Sequence, residues 1–173
     1  MDSSDSFRGD SYCGLYCGAC EVLNLYRDGL EQGKPASWED LPRELKEVIA
    51  PSPIVCTGCK TELLSPGCRR CVIRICAREK KAEACVLCPD YPCRLVTERR
   101  AAIAENLKDI LPHVAAKFSQ AERMKEIGYA LWREEQARRW LCPDCGAPFT
   151  WYQGNCKRCG RGLEELKEHR TAG

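Results

Sequence analysis

The chain has 173 residues, with 27 Lys plus Arg against 25 Asp plus Glu and a formal net charge of +2. That balance is too even to imply nucleic acid from electrostatics alone, and no apolar run approaches the roughly 20 residues a membrane helix needs. Fifteen cysteines bring the composition close to that of a cross-linked scaffold, whether the links are disulfides or metals.

The opening residues, Met1 to Asp10, lack the basic start and apolar stretch of a secretory signal, so a cytoplasmic location is expected. Thiols there stay reduced, and Cys-x2-Cys spacing points to metal ligation. An odd cysteine count also leaves one thiol unpaired in any all-disulfide scheme. The cysteines fall in three zones, Cys13 to Cys20, Cys56 to Cys93 and Cys142 to Cys159, with helical segments between them.

In chain order, the first predicted helix covers Trp38 to Ala50. Ser37 is a good N-cap, Pro42 is tolerable near the first turn, and Leu41, Leu45, Val48 and Ile49 repeat at helical spacing. Pro51-Ser-Pro53 ends it. The next helix runs from Arg94 to Leu111, with Leu95, Ala102, Ile103, Leu107 and Ile110 on its apolar face and Pro112 as the stop. Val114 to Ile127 and Tyr129 to Trp140 follow, separated at Gly128, and a short charged helix, Leu163 to His169, closes the chain. The strand signal is confined to Phe149-Thr-Trp-Tyr152. These elements describe a mainly α protein: a small metal-stapled cysteine-rich α domain over residues 1–94, a helical connector over 95–140, and a zinc ribbon with a short β-hairpin over 141–173.

The ribbon rests on Cys142-Pro-Asp-Cys145-Gly and Cys156-Lys-Arg-Cys159-Gly. Two such knuckles let four sulfurs converge on one ion, and Gly146 and Gly160 permit the left-handed turn that aims backbone N–H groups at the thiolates. Four protein ligands leave no open position, so the site is structural. Zinc is the favoured ion, and a rubredoxin-like iron is the competitor on the same thiolates.

The remaining cysteines form four pairs, Cys17 with Cys20, Cys56 with Cys59, Cys68 with Cys71 and Cys85 with Cys88, and three singles, Cys13, Cys76 and Cys93. Pairs joined to pairs fill two tetrahedral sites. A three-centre scheme lacks one ligand, to be completed by water, substrate or a non-cysteine side chain. The spacing Cys68-x2-Cys71-x4-Cys76 recurs as Cys85-x2-Cys88-x4-Cys93, which predicts two similar loop-and-helix units. Cys13-x3-Cys17-x2-Cys20 matches the spacing of radical enzymes that use S-adenosylmethionine, but the large barrel those enzymes need has no counterpart here.

The segments Cys13-Gly-Leu-Tyr-Cys17-Gly-Ala-Cys20, Cys56-Thr-Gly-Cys59, Cys71-Val-Ile-Arg-Ile-Cys76 and Cys85-Val-Leu-Cys88-Pro-Asp-Tyr-Pro-Cys93 resemble the cysteine-rich prokaryotic domain-of-unknown-function family 3795. The resemblance runs from about Tyr12 to Leu95. It implies a cytoplasmic prokaryotic protein with several bound metals, and it implies no reaction.

His113 and His169 read as surface residues, with a minority role for His113 as a zinc ligand. Trp140 and Trp151 read as apolar cover for the ribbon metal rather than a platform for bases. Arg69, Arg70, Arg74 and Arg78 offset thiolate charge. Asp and Glu read as helix surface without an apolar pocket to mark an acid and base pair, and no phosphate-binding glycine loop is present. The sequence therefore points to a metal-binding, most simply zinc-binding, structural or interaction protein with a protein partner and no catalytic residues. The alternatives are an iron–sulfur protein in electron transfer or redox sensing and a nucleic-acid adaptor built on the ribbon with Lys157, Arg158 and Arg161.

Overall fold

The computed structural model describes residues 7–106 and 111–168, and these are mainly helical, with no sheet among them. The first helix, α1 (Glu21–Glu31), begins directly after Cys20, with Glu21 in the first turn where the helix dipole favours an acid. Its buried Asn24 donates to the carbonyls of Gly18 (2.9 Å) and Cys20 (2.8 Å), so the helix is tied to the short 3-10 turn Cys17–Ala19. This bonding sets the positions of two thiols.

The expected helix over Trp38 to Ala50 is broken. Ser37 does open a turn at Trp38–Asp40, and its backbone N–H bonds the Asp40 carboxylate at 2.7 Å, but Leu41 is extended at ψ 146 and only α2 (Arg43–Lys46) is helical beyond it. The cause is Pro42, whose ring drives the preceding residue out of the helical region. The segment still folds back on itself, because Trp38 Nε1 donates to the Ile49 carbonyl at 2.7 Å.

Two short elements, α3 (Pro66–Arg69) and α4 (Val72–Glu79), carry the middle cysteines. The connector contains α5 (Arg94–Asn106), α6 (Pro112–Ile127) and α7 (Tyr129–Arg139), broken between the last two by Gly128 at φ +85. Leu107 and Ile110 of the expected apolar face lie outside the described residues, as does His169; α8 (Glu164–Glu168) is the described part of the closing helix. The expected β-hairpin is absent among the described residues. The ribbon has two isolated bridges, Leu141 with Pro148 and Asn155 with Gly162. Pro148 has no N–H to extend a ladder; Phe149 N–H still returns to the Trp140 carbonyl at 3.0 Å, but beyond it the donors turn elsewhere, Trp151 to the Ala19 carbonyl at 3.3 Å and Tyr152 to the Glu21 carboxylate at 2.9 Å.

The buried clusters join distant parts of the chain. Ala19 packs with Trp140, Phe149 and Leu163 around the ribbon cysteines. Val22, Leu41, Leu45, Ile54 and Leu111 form a second cluster, with Tyr152 against it. Met124 and Trp132, both fully buried, cover Ala84 and Val86, while Phe118 packs on Val96 and Ile103.

Candidate metal centres

The ribbon is built from two equivalent knuckles. In the first, Cys142 N–H bonds the Ala147 carbonyl (2.8 Å) and Gly146 N–H returns to the Cys142 carbonyl (2.8 Å); in the second, Cys156 bonds Arg161 (2.7 Å) and Gly160 returns to Cys156 (2.9 Å). Gly146 and Gly160 adopt φ of +69 and +77, the left-handed turn expected from their place after each pair. The Sγ atoms of Cys142, Cys145, Cys156 and Cys159 all lie within 4.8 Å of one another, with cross-knuckle separations of 3.6 Å for Cys142 to Cys159 and for Cys145 to Cys156. Four thiolates at about 2.3 Å from one tetrahedral ion stand roughly 3.8 Å apart, so the spacing fits a single metal ion.

The electrostatics divide the thiols: backbone N–H groups of Cys159 and Arg158 lower Cys156 to about 6, whereas at Cys159 the lowering by the Arg161 N–H is outweighed by burial and the neighbouring Cys145, Cys142 and Cys156, which raise the thiol to about 12. One sulfur is thus ready to ionise, and further thiolates so close to it need a cation. Trp140 stands 5.2 Å from Phe149 and 4.8 Å from Trp151, ring centre to ring centre, and this aromatic group covers the buried side of the site as its position in the sequence suggests.

A second group of thiols converges from three elements. Cys76 in α4, Cys85 and Cys88 at the turn Cys85–Leu87, and Cys93 just before α5 all line one small cavity, with Lys80, Tyr91 and Leu95 beside them. Burial, then the neighbouring Cys93, Cys76 and Cys88, pushes the Cys85 thiol up to about 11. The tandem sequence repeat is therefore not a structural one: Cys76 sits inside its helix whereas Cys93 precedes its own, and Cys76 joins the thiols of the second unit.

The other seven, Cys13, Cys17, Cys20, Cys56, Cys59, Cys68 and Cys71, gather around the Cys17–Ala19 turn and the Cys56–Cys59 loop. Burial and then Cys59 and Cys20 raise the Cys17 thiol well above its ordinary value. Burial raises Cys20 to about 12, with Cys68 and Cys56 adding to it. Cys59 rises to about 12 by burial and then Cys13, and Cys68 to about 11 by burial, with Cys56, Cys71 and Cys13 contributing. Neither of these groups holds three sulfurs within the mutual 4.8 Å found in the ribbon, and all fifteen cysteines are free of disulfides.

The Cys56–Cys59 loop is held by two features. Gly58 has φ +123, and a Cβ there would meet the Arg8 carbonyl oxygen at 2.1 Å, so the position requires glycine. Arg74 is buried and donates to the carbonyls of Cys59 (2.9 Å) and Thr61 (3.1 Å), an organising role beyond the charge offset expected of it. Arg78 pairs instead with Glu62 at 3.0 Å, and Arg69 reaches the Leu64 carbonyl at 3.5 Å.

Several polar residues overturn the reading of carboxylates and histidines as surface. Asp10, only 3 % exposed, meets Lys60 at 2.9 Å and accepts from Tyr129 and Arg8; burial pushes its carboxyl up, but these bonds together hold it well below the usual range. Lys60 also stands 2.6 Å from the Tyr129 hydroxyl and 4.5 Å from that ring's centre. Glu21 is 6 % exposed, and burial raises its carboxyl to about 7 against bonds from Thr150 and the Tyr152 N–H. His113 is partly buried, with Nδ1 2.7 Å from the Tyr152 hydroxyl, and burial followed by Lys117 lowers it to about 4. It contacts aromatic rings and no thiol group claims it. Of these residues the sequence singled out only His113, with a minority role as a zinc ligand, and carried no local sign of the Asp10, Lys60 and Tyr129 contacts.

Glu21, His113 and Tyr152 share with Cys20 and Cys68 the wall of a mostly apolar cavity of about 340 Å³ between α1, the Leu45–Ile54 segment and the ribbon. The three basic ribbon residues are engaged within the chain: Lys157 lies 3.8 Å from Asp28, Arg158 donates to the Cys145 carbonyl at 3.2 Å, and Arg161 pairs with Asp144 at 2.5 Å. No described helix is long and apolar enough to cross a membrane.

A family model described as "Protein of unknown function (DUF3795)" matches residues 10–98, and the ribbon lies beyond the match. No curated protein and no solved structure matches the chain.

Proposed function

This chain belongs to the DUF3795 family of proteins of unknown function, and from its own residues we propose that it is a zinc-binding structural or interaction protein of the cytoplasm whose ribbon holds one zinc ion. The observation that carries this reading is the set of four ribbon sulfurs within 4.8 Å, paired across the knuckles at 3.6 Å. That separation suits one tetrahedral ion, and four thiolates leave no position for water or substrate. Zinc there supplies folding energy rather than chemistry. What the metal would brace is a surface for a protein partner: two of the ribbon's three basic residues, Lys157 and Arg161, face Asp28 and Asp144, so the ribbon lacks the concentrated positive charge that a salt-sensitive grip on phosphates uses.

Elemental analysis of the chain purified without oxygen tests the metal, with Cys142→Ser as the comparison. The expected result is zinc in the purified chain and one zinc ion fewer in the variant. Equal zinc in both proteins, or iron in place of zinc at the ribbon, overturns the reading. Titration with a mixed-sequence duplex at low salt tests the partner class, and tight binding that weakens steeply with salt would replace the protein partner by nucleic acid.

A further inference from the structure

We propose that the cavity between α1, the Leu45–Ile54 segment and the ribbon binds a small carboxylic acid with an apolar body of about eight to ten carbons, its carboxylate held by Arg70. The cavity measures about 340 Å³, within the range of small-molecule sites. A methylene fills about the same share of liquid volume as a water, about 30 Å³, so the space takes about eleven such groups. Its wall suits an apolar body. Val22, Leu45 and Ile54, all buried, meet it from α1 and the segment that follows α2, and Ile49, Pro51 and Pro66 complete that surface. The middle of the wall is pinned, because Trp38 Nε1 donates to the Ile49 carbonyl at 2.7 Å.

Charge selects the head group. Most polar side chains at the wall bond one another: Glu21 accepts the Tyr152 N–H at 2.9 Å, and the Tyr152 hydroxyl meets His113 Nδ1 at 2.7 Å. Arg70, the C-cap of α3, differs from them. It is exposed yet lines the cavity, so it stands where the cavity meets solvent, and it forms no ion pair or hydrogen bond among the described residues. The other arginines of this region are engaged, Arg69 with the Leu64 carbonyl, Arg74 with Cys59 and Arg78 with Glu62. A guanidinium binds a carboxylate through two parallel N–H bonds, and an acid with an apolar tail satisfies it while the tail fills the space behind. An amine would meet the like charge of Arg70, and a neutral apolar molecule would leave that charge unused. The site is distinct from the four ribbon thiols and does not depend on the ion they hold.

Calorimetric titration of the full-length chain, purified without oxygen, tests this with octanoate below its micelle concentration, and with octanol and butyrate as comparisons. One octanoate per chain is expected. Octanol, without the charge, is expected to bind about tenfold more weakly, and butyrate, four methylenes shorter, about a hundredfold more weakly. Arg70→Gln removes an exposed side chain and is expected to weaken octanoate about tenfold while leaving octanol unchanged. Ile49→Trp fills the cavity and is expected to abolish binding of both. Zinc measured in each variant keeps this proposal apart from that of the ribbon ion, since both variants are expected to retain it. No saturable octanoate binding by the folded chain, octanol binding as tightly as octanoate, or undiminished octanoate binding in Arg70→Gln or in Ile49→Trp overturns the proposal.

Discussion

Replacing His113 by Gln separates the ionisation of a buried ring from its hydrogen bond. The ring is partly buried, bonds the Tyr152 hydroxyl at 2.7 Å, and is lowered from 6.5 to about 4. A depressed histidine contributes stability that is fully present above the unfolded value near 6.5 and is lost as pH falls through the folded value near 4. The loss reaches at most about 3 kcal/mol, and most of it is already felt by about pH 4.5. Gln can still meet the Tyr152 hydroxyl but takes no proton. At about pH 7.5 the variant is therefore expected to be less stable by about 1 kcal/mol, the value of one imperfect hydrogen bond. The ordering reverses on acidification, with the two curves crossing near pH 6, where the histidine penalty reaches about 1 kcal/mol. Urea unfolding of zinc-loaded wild type and variant across this range measures the difference, in which effects common to both proteins, such as acid loss of metal, cancel. Parallel curves with no crossing would refute the reasoning.

Arg74→Met keeps the length of the side chain but leaves the Cys59 and Thr61 carbonyls without their donor; a loss of about 1–3 kcal/mol is expected by urea unfolding, and an unchanged midpoint would remove Arg74 from the organisation of the loop. Gly58→Ala meets both a positive φ and a backbone oxygen at 2.1 Å, so a loss of about 3 kcal/mol or more is expected, and a stability equal to wild type contradicts the geometry. Zinc binding to the ribbon displaces thiol protons, and the affinity is expected to fall as pH falls; calorimetry in buffers of different ionisation enthalpy measures the release, and a pH-independent affinity rules out thiolate ligation.

Legibility followed the distance in sequence between partners. Each ribbon knuckle is closed within five residues, by bonds such as Gly146 to Cys142, and spacing alone was enough to identify both. The connector helices were also readable, because Gly128 and Pro112 mark breaks that the backbone obeys. The helix over Trp38 to Ala50 is broken because the steric demand of Pro42 on Leu41 overrides the apolar periodicity. The aromatic run Phe149 to Tyr152 does not extend as a strand because only Phe149 pairs back, to Trp140, while Trp151 and Tyr152 bond Ala19 and Glu21, more than a hundred residues away. The same separation hid the Asp10, Lys60 and Tyr129 network. The grouping of Cys76 with Cys85, Cys88 and Cys93 was obscured by a tandem repeat that pairs Cys76 with other thiols.

One short turn links the ribbon to the cysteine domain. Ala19 is fully buried in the ribbon cluster, while two residues earlier Cys17 is buried against Leu23 and Cys59. The ribbon grips this turn with the bonds from Trp151 to Ala19 and from Tyr152 to Glu21, worth about 1–3 kcal/mol together. If the ribbon holds the proposed metal, its loss would free Phe149 and Leu163 from the arrangement that covers Ala19 and would leave those bonds without fixed donors. Cys17 opens the turn and Cys20 follows it, so their geometry would then depend on an ion more than a hundred residues away. On that proposal a change in the metal content of the ribbon would be felt at thiols outside it, through packing and hydrogen bonds rather than through any shared ligand.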